Sequence, residues 1–346
     1  MPFLLLVLDE IERRDLPGEF ALLPYVESTY QPLPSRGNRP AGMWQLMPTT
    51  ARSQGLIVAS DFDGRLDALA ATRASLDLIA VYEEKFGDWR LANMAFNAGE
   101  FRVSKLLGSL IGKRSASELS ATELARLTFS SITHEHLDKL LALACIIDDP
   151  ARFKVILPEP AIGDRLEVFN LPAPLDLRIA ARFAGVSNAD FARLNAAYRQ
   201  PRMRPGMPLR LLIPADHRAQ FSEATARVDS GLWAEWHEAK TSKVTSLPTL
   251  ARAASIPLAA LAAINGLAEN SALAKGTPVL LPGAEVEAAN TDSDAPTHIV
   301  GKGDTLGGIA RQYGVKLPQL LRWNGITLHS LIHPGQRLRI GPGDDR

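Results

Sequence analysis

The chain has little of what marks a disulfide-stabilised, nucleic-acid-binding or membrane-spanning protein. It contains one cysteine, Cys145, which excludes an internal disulfide framework and a cysteine-based metal cluster. Its 38 basic and 38 acidic residues cancel, so it lacks the basic surface that non-specific binding to nucleic acid requires. No run of the sequence reaches the roughly 18 consecutive apolar residues of a membrane span.

Aromatic residues are also scarce, at 6%, whereas alanine and leucine are abundant, and this composition favours helices. The 346 residues are long enough for two or three domains. We expect residues 1–150 to form one nearly all-helical domain. We expect helices in the segments 3–15, 18–30, 49–55, 66–86, 89–96, 118–126 and 135–147, and apolar residues recur at helical spacing in the first of these and in 66–86.

The apolar start of the chain does not have the features of a signal peptide. No basic residue precedes it and no small-residue cleavage site follows, whereas helical spacing predicts a core helix over 3–15. Because the chain begins this deep inside a helix, we expect it to be truncated or to start late.

The second half contains a sequence repeat in three copies. Residues 180–195, 250–265 and 309–324 align without gaps, and the copies end at Asn195, Asn265 and Asn324. A glycine and a short apolar alternation follow each asparagine at the same distance. This pattern predicts three small α+β units of the form β-α-α-β. We expect the units at 151–217, at 218–283 with a leading helix, and at 297–341, with an acidic linker over 284–296.

The third copy closely resembles a LysM module. The residues that carry this resemblance are His298-Ile-Val, Gly303-Asp304-Thr305-Leu306, Ile309-Ala310, Tyr313-Gly314-Val315, Asn324-Gly325 and Pro334-Gly335-Gln336. The resemblance implies binding to chains of N-acetylglucosamine-type sugar, in peptidoglycan or chitin. It places the sugar groove between two loops, with contacts from Gly303, Asp304, Thr305, Leu306 and Ile332.

A structural role is the alternative for these loop residues. Gly303 frees the backbone to turn, and Asp304 and Thr305 are good caps for the helix that follows. The first two copies lack this loop signature, since they carry Pro174-Leu175-Asp176 and Val244-Thr245-Ser246 at the same positions. We therefore expect degenerate LysM-like folds that bind sugar less or not at all.

Three motifs in the first domain resemble the catalytic domain of lytic transglycosylases, in the goose-lysozyme-like clan. They lie at 21–32 around Glu27-Ser28, at 41–49 with the sequence Ala-Gly-Met-Trp-Gln-Leu-Met-Pro-Thr, and at 95–103 around Phe96-Asn97-Ala98-Gly99. Together with the LysM module, they make the whole chain similar to the membrane-bound lytic murein transglycosylases. The resemblance implies a mainly α, lysozyme-like catalytic domain followed by LysM-type repeats.

The resemblance assigns Glu27 as the catalytic acid and base. A glycosidic oxygen is a poor leaving group until it is protonated, so a carboxylic acid must be held near it. An apolar pocket formed by Met43, Met47 and Phe96 would disfavour the charged carboxylate. The commoner fate of a single glutamate is an exposed ion pair, and only the motif context favours catalysis here.

No second carboxylate belongs to these motifs, although ordinary glycosidases need a pair. In the family, the 6-hydroxyl of muramic acid attacks instead of water, which gives a 1,6-anhydro product. One alternative is a lysozyme-type muramidase, which would need Asp61, Asp63 or Asp67 to activate water. Another is a non-catalytic peptidoglycan-binding protein whose first domain has lost activity.

The family places Ser28, Met43, Gln45, Phe96 and Asn97 at the substrate. Helix capping and loop bracing are the alternative roles for Ser28, Gln45 and Asn97. The family usually has tyrosine at position 96, so Phe96 keeps an apolar wall but removes a hydroxyl donor. We expect Glu100 to be structural rather than a second catalytic residue.

Nothing in the sequence implies a metal or an organic cofactor. His134 and His136 form only a lone pair of histidines on a charged stretch. The expected partner is the peptidoglycan glycan strand, with no role for nucleic acid, and membrane association would require an N-terminal anchor that precedes this chain. By resemblance the protein belongs in the cell envelope or periplasm, although an export signal is absent from this sequence.

Overall fold

A computed structural model describes residues 2–110, 119–204, 206–282, 297–301, 303–324, 326–328, 330, 332–333 and 336–341. The predicted linker 284–296 and the motif residues Gly325, Pro334 and Gly335 lie outside the described residues. The chain divides into two compact units, Met1–Pro282 and Gly283–Arg346.

Helices make up the N-terminal part of the first unit. They are α1 (Pro2–Glu12), α2 (Leu23–Ser28), α3 (Pro48–Ser53), α4 (Ala68–Phe86), α5 (Trp89–Ala98), α6 (Glu100–Leu110), α7 (Ala121–Ala125) and α8 (Ser131–Asp148), with 3₁₀ turns at Gly18–Leu22 and Gly64–Leu66. Their apolar faces form one core around Phe20, Trp44 and Leu76. The mainly helical prediction is confirmed, but α6 was not foreseen.

Side-chain caps define helix α4 and helix α5, and the third motif begins on α5. Asp67 precedes α4 and accepts a hydrogen bond from the Ala70 amide, and Gly87 ends the helix in the left-handed conformation. Asp88 then begins α5 by accepting from the amides of Arg90 and Leu91. Each cap satisfies amides that a helix leaves unpaired at its first turn. These caps fix where the residues of the third motif lie along α5.

The three repeats each form the predicted β-α-α-β unit, which confirms the predicted fold class. The first has β1 (Leu166–Asn170), α9 (Leu177–Ala184), α10 (Asn188–Leu194) and β2 (Arg210–Pro214), followed by α11 (Arg218–Arg227). The second has β3 (Trp236–Lys240), β4 (Thr245–Ser246), α12 (Leu247–Ala254), α13 (Leu258–Asn265), β5 (Ala272–Leu273) and β6 (Pro278–Pro282). The third has β7 (Thr297–Ile299), α14 (Leu306–Gln312), α15 (Leu317–Trp323) and β8 (Arg337–Arg339). Short 3₁₀ turns lie at Ile162–Asp164, Ala215–His217 and Ser230–Leu232. In each unit the first and last strands pair antiparallel.

The asparagine that ends each repeat ties the second helix to the last strand. The amide of Asn195 donates to the carbonyl of Leu212 at 3.0 Å, and its oxygen accepts from the Leu212 amide at 2.8 Å. Asn265 makes the same pair of bonds with Leu280, and Asn324 makes them with Arg339. Only a side-chain amide offers both a donor and an acceptor in this geometry. The repeated asparagine therefore serves folding in all three units.

Replacing Asn265 with Ala is expected to weaken β6 locally. The change leaves the N–H and C=O of Leu280 without partners, at a cost of about 1–3 kcal/mol for buried groups. Hydrogen exchange at β6 should quicken accordingly, since exchange reports local opening. Asn270→Ala is the matched control, because Asn270 is exposed. Unchanged exchange in Asn265→Ala would contradict this role.

The first repeat packs directly against the helical region. The Phe62 and Tyr198 rings meet edge to face at 5.1 Å, and Arg210 forms an ion pair with Asp67 at 2.6 Å. The backbone amide of Asp63 also donates to the carbonyl of Ala197. The loop after α10 is therefore engaged by the helical region.

Helix α11 packs on the first repeat rather than on the second. Phe221 is fully buried and its ring meets those of Phe169 and Phe183.

Among the described residues, no single helix is long and apolar enough to cross a membrane. Only α12 and α13, taken together as a pair bent by 115°, have the length and composition of a membrane span.

Candidate active site

Glu27 lies near the end of a short helix from which the chain departs abruptly. Helix α2 stops at Ser28, and the next two residues, Thr29 and Tyr30, have φ values of 51° and 59°. This left-handed region is uncommon for threonine and tyrosine, and strained backbone of this kind clusters at functional sites. The Tyr30 hydroxyl donates to the carbonyl of Ala21, which anchors the turn. The Glu27 side chain remains 17% exposed at this turn.

Ser28 connects the first motif to the second. Its buried hydroxyl lies 2.9 Å from the carbonyl of Met43 and 3.1 Å from that of Pro24. A hydroxyl has one hydrogen to donate, and both of these acceptors belong to the backbone. This geometry supports the bracing alternative for Ser28 and fixes Glu27 relative to the 41–46 loop.

Backbone hydrogen bonds close the loop of the second motif, and Trp44 anchors the loop to α4. Ala41 and Leu46 exchange backbone hydrogen bonds, and the Trp44 indole donates to the hydroxyl of Thr72 at 3.0 Å. Gly42 has φ +79°, and a Cβ at this position would lie 1.8 Å from the carbonyl oxygen of Arg65. The loop therefore requires glycine at position 42.

Two predicted substrate residues, Met43 and Gln45, belong to this loop, and their side chains differ in exposure. Met43 is only 2% exposed and packs in the core, so we correct its assignment from sugar contact to support of the loop. Gln45 is half-buried with φ +47°, and its amide donates to the carbonyl of Gly42 at 2.7 Å. The amide oxygen of Gln45 remains to accept a hydrogen bond.

The third motif reaches the second through aromatic packing. Phe96, on α5, meets Trp44 edge to face at 6.1 Å. Asn97 is half-buried, and its side-chain amide has no hydrogen bond to the residues that the structure describes. Glu100 forms an ion pair with Lys85, in agreement with a structural role. Pairwise contacts thus bring all three motifs together.

His136 is the site residue that the sequence reasoning missed. Its Nε2 lies 2.9 Å from Oε1 of Glu27, and its side chain is 8% exposed. Helix α8, which carries His136, packs against both α2 and α5. In the sequence, His134 and His136 stand out only as a pair that does not imply a metal. In the structure, His136 contacts Glu27, whereas His134 bonds to the carbonyl of Leu127.

The loop of the third repeat has a hydrogen-bonded frame. Thr305 caps α14 as predicted, by accepting from the Gly308 amide. Asp304 does not cap the helix. Its carboxylate accepts from the Gly301 amide at 2.7 Å and contacts Nε2 of His298 at 2.8 Å. The Gly301 hydrogen bond and then the His298 contact lower the pKa of the Asp304 carboxyl.

The remaining predicted glycan-binding residues of the third repeat are Gly303 and Leu306 beside α14 and Ile332 after α15. Gly303 has φ +94°, which glycine adopts without strain. Leu306 is buried in the core of the repeat, and Ile332 is half-buried against the same core.

In the described part of the chain, no group of three or more His, Cys, Asp or Glu residues could hold a metal ion.

Family comparisons match three parts of the chain. Residues 10–114 match the transglycosylase SLT domain, residues 165–230 match the LysM-like domain of lytic transglycosylase MltD, and residues 298–341 match the LysM domain. These matches confirm the resemblances drawn from the three motifs and from the third repeat. The match at 165–230 includes α11 with the first repeat.

Individual relatives extend the likeness over nearly the whole chain. Membrane-bound lytic murein transglycosylase D of Escherichia coli (strain K12) is 29% identical over 98% of this chain and 76% of the relative. The protein of the same name from Escherichia coli O6:H1 gives the same values. Among solved structures, the Bacillus cereus spore cortex-lytic enzyme SleL is 23% identical over 33% of this chain and 24% of its own. The TM-score of this comparison is 0.14.

Proposed function

This chain carries a transglycosylase SLT domain followed by LysM-type domains, and on that premise we propose that it is a peptidoglycan lytic transglycosylase. It cleaves the β-1,4 bond between N-acetylmuramic acid and N-acetylglucosamine without consuming water. The observation that carries this proposal is the assembly of three motifs around a partly exposed Glu27. The family match and the relatives support the same reaction.

Glu27 performs both proton transfers in the proposed reaction. As an acid it protonates the glycosidic oxygen, and the bond to C1 of the muramic acid breaks. As a carboxylate it then takes the proton of the 6-hydroxyl, whose oxygen attacks C1 and closes the 1,6-anhydro ring. One carboxyl group suffices because the substrate supplies its own nucleophile.

The hydrolase alternative lacks a free base among its three candidate carboxylates. Asp63 is buried in an ion pair with Arg65, and Asp67 caps α4 and pairs with Arg210. Asp61 lies 3.7 Å from Arg204. All three carboxylates thus have a basic partner, and this supports the transglycosylase proposal over the hydrolase alternative.

Gln45 and Asn97 are the proposed sugar-binding side chains. Both are partly exposed amides on motifs that contact one another. Amides suit the hydroxyl and acetamido groups of the substrate because they both donate and accept hydrogen bonds. Phe96 supplies an apolar wall, and its packing on Trp44 argues against decay of the pocket into a non-catalytic one.

The third repeat is proposed to bind the same polymer. Its framed loop presents backbone at Gly303, Asp304 and Thr305 to acetamido groups. We propose the division in which residues 1–150 catalyse and residues 297–341 bind glycan, with the repeats at 151–217 and 218–283 between them. We propose the cell envelope, and within it the periplasm, as the compartment, and the membrane-bound murein relatives support this proposal.

Mass spectrometry of the digestion products tests the proposed reaction. Purified sacculi treated with the full chain should yield 1,6-anhydromuramyl ends. Hydrolysis would instead give reducing ends that are heavier by one water. Reducing ends as the main product would assign the muramidase activity, and no product would leave only glycan binding.

Removing residues 283–346 is expected to reduce cleavage of insoluble sacculi far more than cleavage of short soluble glycans. A tethered binding module raises the local concentration of the catalytic unit at its polymer, so we expect a loss of about tenfold or more on sacculi. The catalytic unit Met1–Pro282 keeps its own core. Rates on both substrates are compared for the full and truncated chains, and an equal loss on both would exclude the tethering role.

A further inference from the structure

We infer that His136 is a positioning residue for Glu27, which fixes the carboxyl group and directs its proton toward the substrate. This inference rests on the proposed function. It begins from the 2.9 Å contact between Nε2 of His136 and Oε1 of Glu27. The two residues lie 109 positions apart, so the packing of α8 against α2 creates the pair.

The surroundings of the second ring nitrogen indicate which nitrogen of His136 carries the hydrogen. Nδ1 of His136 is buried and has no hydrogen-bond partner among the described residues. A hydrogen on Nδ1, whether in the imidazolium or in the neutral tautomer that carries it there, would leave a buried N–H without an acceptor, which costs more than an unmatched lone pair. The burial of Nδ1 therefore assigns the hydrogen to Nε2, and Nε2–H donates to Oε1 of Glu27.

This donor decides which oxygen of Glu27 acts on the substrate. Oε1 accepts the hydrogen of His136, so the acidic proton of Glu27 resides on Oε2. Because the carboxyl group cannot rotate without breaking the bond from His136, Oε2 stays aimed at the leaving oxygen. His136 thus fixes the orientation that general acid catalysis requires.

The same bond serves the second half of the reaction. Once Oε2 has given its proton away, Glu27 is a carboxylate, and the bond from Nε2–H becomes charge-assisted and stronger. His136 therefore stabilises the base without contacting sugar, and Oε2 recovers a proton from the 6-hydroxyl. The imidazole keeps its hydrogen throughout, so each turnover leaves the pair unchanged.

Replacing His136 with Gln or with Asn separates the effect of the hydrogen bond to Glu27 from the effect of packing, because the two amide side chains differ in length. The side-chain nitrogen of His136→Gln reaches the place of Nε2, whereas that of His136→Asn is too short to reach Glu27. We expect His136→Gln to keep kcat within about threefold. His136→Asn should lose about ten- to a hundredfold in kcat, as expected for a lost hydrogen bond to a charged group. His136→Met, which fills the space without a donor, should match His136→Asn.

The split between kcat and KM gives the second readout. His136 lies behind Glu27 and is nearly buried, so KM should stay within about twofold in all three variants. His134→Gln is the matched control, because His134 is on the same helix and, among the described residues, bonds to the carbonyl of Leu127 and packs on Phe129 rather than on Glu27. Its kcat should equal that of the unmodified chain.

Kinetics on a soluble glycan, with thermal unfolding of each variant, decide the inference. Equal kcat values for the Gln and Asn variants would overturn it, as would unchanged kcat in a folded His136→Met. If Glu27→Gln kept full activity, the proposed function itself would fail. Loss in Glu27→Gln with full activity in His136→Asn would overturn the positioning role alone.

Discussion

Replacing Glu27 with Gln is expected to abolish cleavage while the protein stays folded and still binds glycan. The amide can neither protonate the glycosidic oxygen nor take the proton of the 6-hydroxyl. Loss of one general acid or base typically costs about 10²–10⁴-fold, and here one group performs both transfers. Turnover should therefore fall by at least the upper part of that range.

The fold should survive this change because the amide oxygen of Gln still accepts from Nε2 of His136. Glu84→Gln is the matched control, since Glu84 is exposed on α4. Turnover is followed by product release from soluble glycan, and folding is followed by circular dichroism. A folded Glu27→Gln variant with near-normal turnover would remove Glu27 from the mechanism.

Replacing Gly42 with Ala is expected to cost both stability and activity. The new Cβ would lie 1.8 Å from the Arg65 carbonyl oxygen and 2.7 Å from its carbonyl carbon, and backbone cannot move aside as a flexible side chain can. The left-handed φ adds about 1–2 kcal/mol for any residue with a Cβ. We expect a loss of more than about 2 kcal/mol in unfolding free energy and more than about tenfold in turnover, since the loop also holds Gln45.

Gly55→Ala is the control that measures the cost of a left-handed φ alone, without the collision that a Cβ causes at position 42. Gly55 has φ +77°, but a Cβ at this position would meet no atom within 4 Å. Urea unfolding and turnover of the two variants are measured together. Gly55→Ala should lose only the strain contribution and keep its turnover, and an equal effect of the two substitutions would show that the collision is relieved at no cost.

Local patterns in the sequence predicted much of the fold. The gapless alignment ending at Asn195, Asn265 and Asn324 predicted three β-α-α-β units, because each asparagine performs the same backbone pairing. The periodicity of α4 predicted a helix over nearly its observed length. Helix α6 was missed, and it follows α5 after a single residue, Gly99.

The candidate site was predictable only where a motif carried it. The three motifs placed Glu27, Gln45 and Asn97, but they did not reveal which side chains point inward. Met43 and Leu306 are buried, and burial depends on packing partners distant in sequence. His136 carries no local signal at all, because its contact with Glu27 arises from the docking of α8 on α2.

In the proposed reaction the substrate's own hydroxyl, and not water, attacks the anomeric carbon. Digestion of sacculi in water enriched in heavy oxygen tests it most directly, because only hydrolysis places an oxygen atom of the solvent on C1 of the muramic acid. We expect anhydromuramyl products without heavy oxygen from the unmodified chain, and no products from Glu27→Gln. Incorporation of one heavy oxygen atom into each new end would contradict this claim.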